Sequence, residues 1–397
     1  MRIAVVLPRG CTFCPDKTNS METVVRTLSA HSRLNRLVTL IADAGGPTPS
    51  RVQMVTVPAG LGRKARNAAV MDVLAKLSPD IVEYHQQLKA ASELARQLPD
   101  AINVLYRHTR IKPSRNLIER LRYGRRLARF DRLVFVSRAA GEEFATDYRS
   151  LAGRVSSVCN PIESDAWRAS PEQRENLILF SGRAMRDKGL DLFCAALAET
   201  LDRHPDWRGA LMLGDWDKHQ DWAAPQVRML ERFGDRVEIH KSASLDAVRA
   251  MTQRAAIAVT PSRVREALGL AALEAHAAGA ALISSGRGGL REASGEYALY
   301  VDVEEAGSLT SAMMRLVENP DERLALARGG QAYVERVHSP AARAAELDAL
   351  REALVDKAFV TPKPTLRGAS SGRAGGVADP ASGLGFSLSG QGCRRRG

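Results

Sequence analysis

The stretch 266–292, EALGLAALEAHAAGAALISSGRGGLRE, decides how the chain is read. Before it, a strand is predicted over 255–260 (AAIAVT), and a Pro261-Ser262 turn leads to the acid Glu266. Gly269 frees the backbone, and 270–278 (LAALEAHAA) has the composition of a buried helix that Gly279 stops. A second acid, Glu274, stands eight positions after the first. Glu266 therefore lies in front of the helix N-terminus, and Glu274 is rooted about one and a half turns inside. Between them point the N–H groups of the first turn, which have no acceptor within the helix and form a seat for phosphate. A carboxylate on either side of an anion cradle suits a sugar nucleotide, with the diphosphate in the middle and hydroxyls at both ends. Taken alone, the same residues also fit an ordinary α/β helix with surface acids.

A second motif lies about eighty residues upstream. A buried strand is predicted over 177–181 (LILFS), followed by Gly182-Arg183-Ala184-Met185-Arg186-Asp187-Lys188-Gly189 and a helix from Leu190. Arg183 and Lys188 stand five positions apart beside a helix N-terminus. Such loop cations neutralise a diphosphate leaving group without a metal. Arg186 is expected to face solvent.

Together these residues resemble a known family. Pro-Ser followed by Glu266-x7-Glu274, an Ala/Gly-rich helix, Gly288-Gly289-x-x-Glu292 and the earlier Gly182-Arg183-x4-Lys188-Gly189 are similar to the donor site of retaining GT-B glycosyltransferases of family 4. The usual Glu-Gly-Phe-Gly is here Glu266-Ala267-Leu268-Gly269, and a usual Gly-Gly pair before a glutamate is here Asn19-Ser20-Met21-Glu22. The resemblance covers about residues 1–355 and is firmer in the second half. It implies an α/β fold of the GT-B type, two Rossmann-like domains facing a central cleft. The expected division is 1–165 for an acceptor domain, 170–340 for a donor domain, 341–356 for a helix crossing back, and 360–397 for a disordered basic tail. In the family the first acid faces the donor sugar and the second binds the ribose, roles that fall on Glu266 and Glu274. Arg183 and Lys188, with Gly182 and the N–H groups near Gly269 and Leu270, would hold the diphosphate. His108 matches the histidine that approaches the donor sugar, so the catalytic candidates are Glu266, His108, Arg183 and Lys188. The implied reaction moves a sugar to an acceptor hydroxyl with retention, the departing phosphate oxygen taking the acceptor's proton. No cofactor and no metal are expected. The rivals are a GT-B epimerase, a phosphorylase, or a non-catalytic GT-B subunit at a membrane surface.

The remaining chain fits this frame. Short strands at 2–7, 37–41, 53–57, 81–84, 102–106 and 133–136 alternate with helical patterns, which predicts parallel strands with covering helices. His108 directly follows a strand, where ligands of open parallel sheets gather, and His85 is a second candidate near the acceptor. His240 and Lys241, after strand 237–240, are candidates for the base pocket. Asp215-Trp216-Asp217 has the spacing of a metal triplet but sits where the family has a Gly-Asp turn, so no metal is assigned to it.

Composition narrows the class. The chain of 397 residues is 45% apolar and 26% charged, ordinary for globular domains. No run reaches the 18 or so apolar residues that span a bilayer. The opening MRIAVVLP reads as a first strand rather than a signal peptide, so a cytoplasmic protein is expected, at the inner face of the membrane if the basic segment binds lipid. Five scattered cysteines fit a reducing compartment, and nothing completes Cys11-x-x-Cys14 into a zinc site. Of the net charge of +12, residues 360–397 supply +5. Residues 107–132 hold ten Lys/Arg against Glu119 and Asp131, with Leu117, Ile118, Leu121 and Leu127 as an apolar side. A solvated helix face, an anionic membrane surface and nucleic acid compete here. Sparse aromatics disfavour nucleic acid. The expected partners are a nucleotide-sugar donor and a saccharide or lipid-linked acceptor in surface polysaccharide or lipopolysaccharide assembly.

Overall fold

The computed structural model describes residues 1–13, 20–46, 52–111 and 116–360. Cys14, Asn19, Lys112, Arg115 and the tail from 361 lie outside the described residues. Two wholly parallel sheets organise residues 1–360. The first holds β1 (Ile3–Val6), β2 (Val38–Asp43), β3 (Gln53–Val57), β4 (Ile81–His85), β5 (Ile102–Arg107), β6 (Arg132–Phe135) and β7 (Val155–Ser157), in the order β3-β2-β1-β4-β5-β6-β7. The second holds β8 (Glu175–Arg183), β9 (Arg208–Gly214), β10 (Val237–Lys241), β11 (Ala255–Thr260), β12 (Ala281–Ser284) and β13 (Ala298–Tyr300), in the order β10-β9-β8-β11-β12-β13.

The same cause shapes both halves. Central strands such as LILF and AIAV are apolar on successive residues because helices cover both faces of each sheet. In each sheet the order reverses beside the first strand, between β1 and β4 and between β8 and β11. Ligands of doubly wound sheets settle outside the carboxyl ends of strands at such a reversal. β8 runs two residues beyond the expected strand, because Arg183 still pairs with Gly214 of β9. The diphosphate-loop arginine therefore leaves from a strand end rather than from a loop.

The helix Pro340–Val360 returns to the first half and is locked there by buried charge. Arg351 Nε and Nη2 each reach a Glu83 oxygen at 2.8 Å, and Arg351 Nη1 donates to Asp348 at 3.1 Å. Ser32 Oγ donates to the same Asp348 oxygen at 2.7 Å. Glu83 belongs to β4, so the last helix is tied to the centre of the first sheet.

The basic segment forms the expected helix. Helix Leu117–Leu127 opens on Asn116, whose side chain caps Glu119 N. Of its apolar side only Leu127 is buried, while Leu117, Ile118 and Leu121 are 72%, 69% and 58% exposed. Helical spacing records a shared face and not whether a neighbour covers it.

No helix among the described residues is long and apolar enough to cross a membrane. Removing one partner of a buried pair strands the other charge, so Arg351→Ala should destabilise the protein by about 3–5 kcal/mol. Denaturant unfolding checks this, and an unchanged midpoint in Arg351→Ala would contradict the lock.

Candidate active site

The two motifs meet at the β8/β11 reversal. A tight turn, Arg186–Lys188, follows β8 and enters helix Leu190–Arg203 through Gly189. Gly189 has φ +73°, and a Cβ there would lie 2.1 Å from the Pro261 carbonyl oxygen. Only glycine lets the two loops approach this closely. Arg263 N then donates to Asp187 O at 2.9 Å, and the Arg263 guanidinium pairs with Asp191.

Across this seam Lys188 Nζ lies 2.6 Å from Glu266 Oε1. Ser262 Oγ donates to the same oxygen at 2.5 Å. The backbone of Glu266 is held as firmly: its N–H donates to Arg287 O at 3.1 Å, and Gly289 N donates to Glu266 O at 2.9 Å. Gly288 is the partner in this bridge, with φ +67°, and a Cβ there would sit 2.4 Å from Glu266 O. The Gly-Gly pair thus fixes the loop that aims the carboxylate. Glu292, three residues after Gly289, accepts from Arg138 N and Ala139 N at 2.8 Å each. Its charge caps helix Arg138–Asp147 of the first half, where a carboxylate meets the positive helix end.

Helix Leu270–Ala278 starts beside these groups. Ala272 and Leu273 N–H already turn back to Gly269 O, at 3.1 and 3.4 Å. Leu270 and Ala271, ahead of that ladder, present their N–H groups at the helix start. Glu274, one turn on, is enclosed by Leu179, Ser181, Thr260 and Ala271, and burial raises its carboxyl to about 7 against the pull of Arg249.

All these residues line one cleft of about 850 Å³ between the halves: Gly182, Arg183, Lys188, Glu266, Gly269, Leu270 and Glu274. The first half contributes Met21, His108, Thr109, Arg110, Val136 and Asn160. Thr260 Oγ1 and Asn160 Oδ1 are buried in this wall without a protein hydrogen-bond partner, as befits a site that receives a polar ligand. His108 reaches the cleft with Nε2 2.8 Å from His85 Nδ1, and the two rings and Tyr106 stack. Burial lowers both histidines, His85 to about 3, so the pair is neutral at ordinary pH.

Some sequence candidates lie elsewhere. His85 stands behind His108, 4% exposed. Lys241 lies 4.4 Å over the Trp216 ring and His240 lies 3.5 Å from Glu238. Neither lines the cleft, where Ala243, Leu245 and Val248 stand instead. Asp215 pairs with Lys218 at 2.6 Å, and among the described residues no group of three His, Cys, Asp or Glu could hold a metal. Glu22 binds the backbone, accepting from Thr12 N at 2.8 Å. Sequence reasoning named Ser262 only as part of a turn and passed over Arg263, although a hydroxyl four positions before Glu266 was a usable signal. Nothing local marked Arg110, whose Nη1 donates across the cleft to Arg265 O at 3.1 Å.

Two parallel doubly wound halves facing a polar cleft define the GT-B class. The solved HepE of Anabaena, in complex with UDP, superposes with a TM-score of 0.71 at 14% identity, covering 89% of this chain and all of that one (100%). Residues 162–333 match the model of the glycosyl transferases group 1 family. A D-inositol 3-phosphate glycosyltransferase of Acidothermus cellulolyticus is 27% identical over 249 residues, which is 58% of this chain and 55% of that protein. A lipopolysaccharide core biosynthesis mannosyltransferase, LpcC, of Rhizobium leguminosarum is 25% identical over 58% of this chain and 68% of its own length. The match to the first of these relatives thus spans about half of its length.

The raised Glu274 carboxyl sets a pH signature. Below the unfolded-state value of 4.5 both states carry the proton and the shift contributes nothing; between there and about 7 the unfolded chain ionises first, so stability falls as pH rises. Glu274→Gln removes this term. It should raise the melting temperature at pH 8 and leave it unchanged near pH 4.5, as read by thermal unfolding; an equal effect at both would contradict the burial argument.

Proposed function

We propose that this chain is a retaining, metal-independent glycosyltransferase that takes its sugar from a nucleoside-diphosphate-sugar. One observation carries the reading: Arg183, Lys188 and the start of helix Leu270–Ala278 line one cleft, with Glu266 and Glu274 on either side. A diphosphate seated there meets two cations and two free N–H groups, which stabilise the charge that grows as the glycosidic bond breaks. Glu266, aimed by Ser262 and the Gly288 bridge, faces the sugar hydroxyls. Glu274 takes the ribose. His108, kept neutral, offers a hydrogen bond to the sugar from the first half. No side chain in the cleft is assigned as a general base. The departing phosphate oxygen takes the acceptor proton on the face where the new bond forms, so the proton leaves with the nucleoside diphosphate. No cofactor enters this scheme.

The acceptor side is set in the first half. A saccharide or lipid-linked acceptor of surface polysaccharide or lipopolysaccharide assembly agrees with the named activity of LpcC. The exposed Leu117, Ile118 and Leu121 beside Arg122 and Arg125 give helix Leu117–Leu127 the character of a helix that rests on an anionic leaflet. That contact would keep the protein at the inner face of the membrane.

Incubation with a panel of sugar nucleotides, beginning with UDP sugars because HepE holds UDP, should release nucleoside diphosphate. Release should persist in chelator and fall by roughly a hundredfold or more in Glu266→Ala. Nucleotide binding without turnover would make the chain a non-catalytic subunit, and conversion of the donor sugar without acceptor would make it an epimerase.

A further inference from the structure

Beside the cleft, and sharing Thr109 and Arg110 with its wall, lies a second cavity of about 680 Å³ within the first half. Its size is that of a small-molecule site. Among the described residues no Asp or Glu lines it. Three of its cations are neutralised from behind: Arg63 by Glu93, Arg66 by Asp43 and Arg110 by Glu143. Four others, Arg9, Lys89, Arg107 and Arg126, line the cavity and form no ion pair among the described residues.

Arg107 is the telling member. It ends β5, half-buried, and its Nε is buried without a hydrogen-bond partner among the described residues. Nη2, on the exposed side, donates to Thr109 Oγ1 at 3.3 Å. Burial lowers it to about 10. A partly buried cation whose Nε meets neither water nor an acceptor gains from a ligand that supplies both an acceptor and the counter-charge.

We propose that the cavity seats a phosphate group carried by the acceptor, which places the acceptor hydroxyl past Thr109 and Arg110 toward the donor sugar. The proposal rests on the donor reading of the neighbouring cleft. Phosphate suits the lining because its oxygens accept several guanidinium forks at once, whereas a neutral saccharide would leave these cations unpaired. Arg110 joins the two sites physically, lining both and bonding Arg265 O, next to Glu266. Helix Leu117–Leu127 supplies Tyr123 and Arg126 to the cavity while exposing Leu117, Ile118 and Leu121. The phosphate therefore comes either on a water-soluble sugar phosphate or at the polar end of a lipid.

Binding of the full chain to glucose 6-phosphate against glucose, by calorimetry, probes the first source. Flotation with phosphatidylglycerol against phosphatidylcholine vesicles probes the second. UDP binding is measured on the same samples. At least one phosphate probe should bind about tenfold or more tightly than its neutral counterpart, and Arg107→Gln with Arg126→Gln should remove that preference. Lys188→Gln should keep it while losing UDP. Arg126→Gln alone, checked by its melting temperature, serves if the double variant does not fold. Two results would overturn the proposal: no preference for phosphate in either pair, or a preference that survives the arginine changes. If the phosphate preference vanishes only in Lys188→Gln, the donor site stands and the cavity assignment falls. A preference lost with the arginines in a chain that never binds UDP would leave the cavity standing and remove the donor reading.

Discussion

Everything in the second half depends on two loops being allowed to touch. A Cβ on residue 189 would lie 2.1 Å from the Pro261 carbonyl oxygen, so a single glycine lets the loop after β8, which carries Lys188, close on the loop after β11, which carries Glu266. With that gap closed, Lys188 reaches Glu266, and Arg263 ties itself to Asp187 and Asp191. The opposite side is closed by Gly288 against Glu266 O. A carboxylate held by a lysine, a serine hydroxyl and a backbone bridge has little freedom left. Orientation fixed before the ligand arrives is what a positioned site needs.

The two halves are joined by charge as well as by apolar contact. Glu292 leaves the loop that aims Glu266 and ends on the first half's helix Arg138–Asp147. Arg351 brings the last helix back to Glu83 in the central β4. A displacement of either half therefore strains a charged contact that touches the cleft-forming loops or the sheet behind them. The cleft and the basic cavity share Arg110, which places the halves' chemistry within reach of each other.

How much of this was legible in the sequence follows from the range of the interactions. Strands with buried faces on both sides appear as apolar runs, so β11 and helix Leu270–Ala278 stand where their residues predict. The Glu-x7-Glu and Arg-x4-Lys spacings were equally readable, because each belongs to one loop and one helix start. Spacing does not record what comes from elsewhere in the chain. Arg110 reaches Arg265, and Arg351 reaches Glu83, across separations that no local pattern encodes. For Leu117, Ile118 and Leu121 the spacing gives a shared apolar face, but not that among the described residues it stays exposed. His240 and Lys241 were placed by the end of their strand, whereas their side chains turn to Glu238 and Trp216.

The most direct measurement is a crystal structure of the full chain soaked with UDP. The account predicts the diphosphate against the N–H groups of Leu270 and Ala271, between Arg183 and Lys188, with the ribose hydroxyls on Glu274. A diphosphate bound outside the β8/β11 crevice, or a ribose turned away from Glu274, would contradict it.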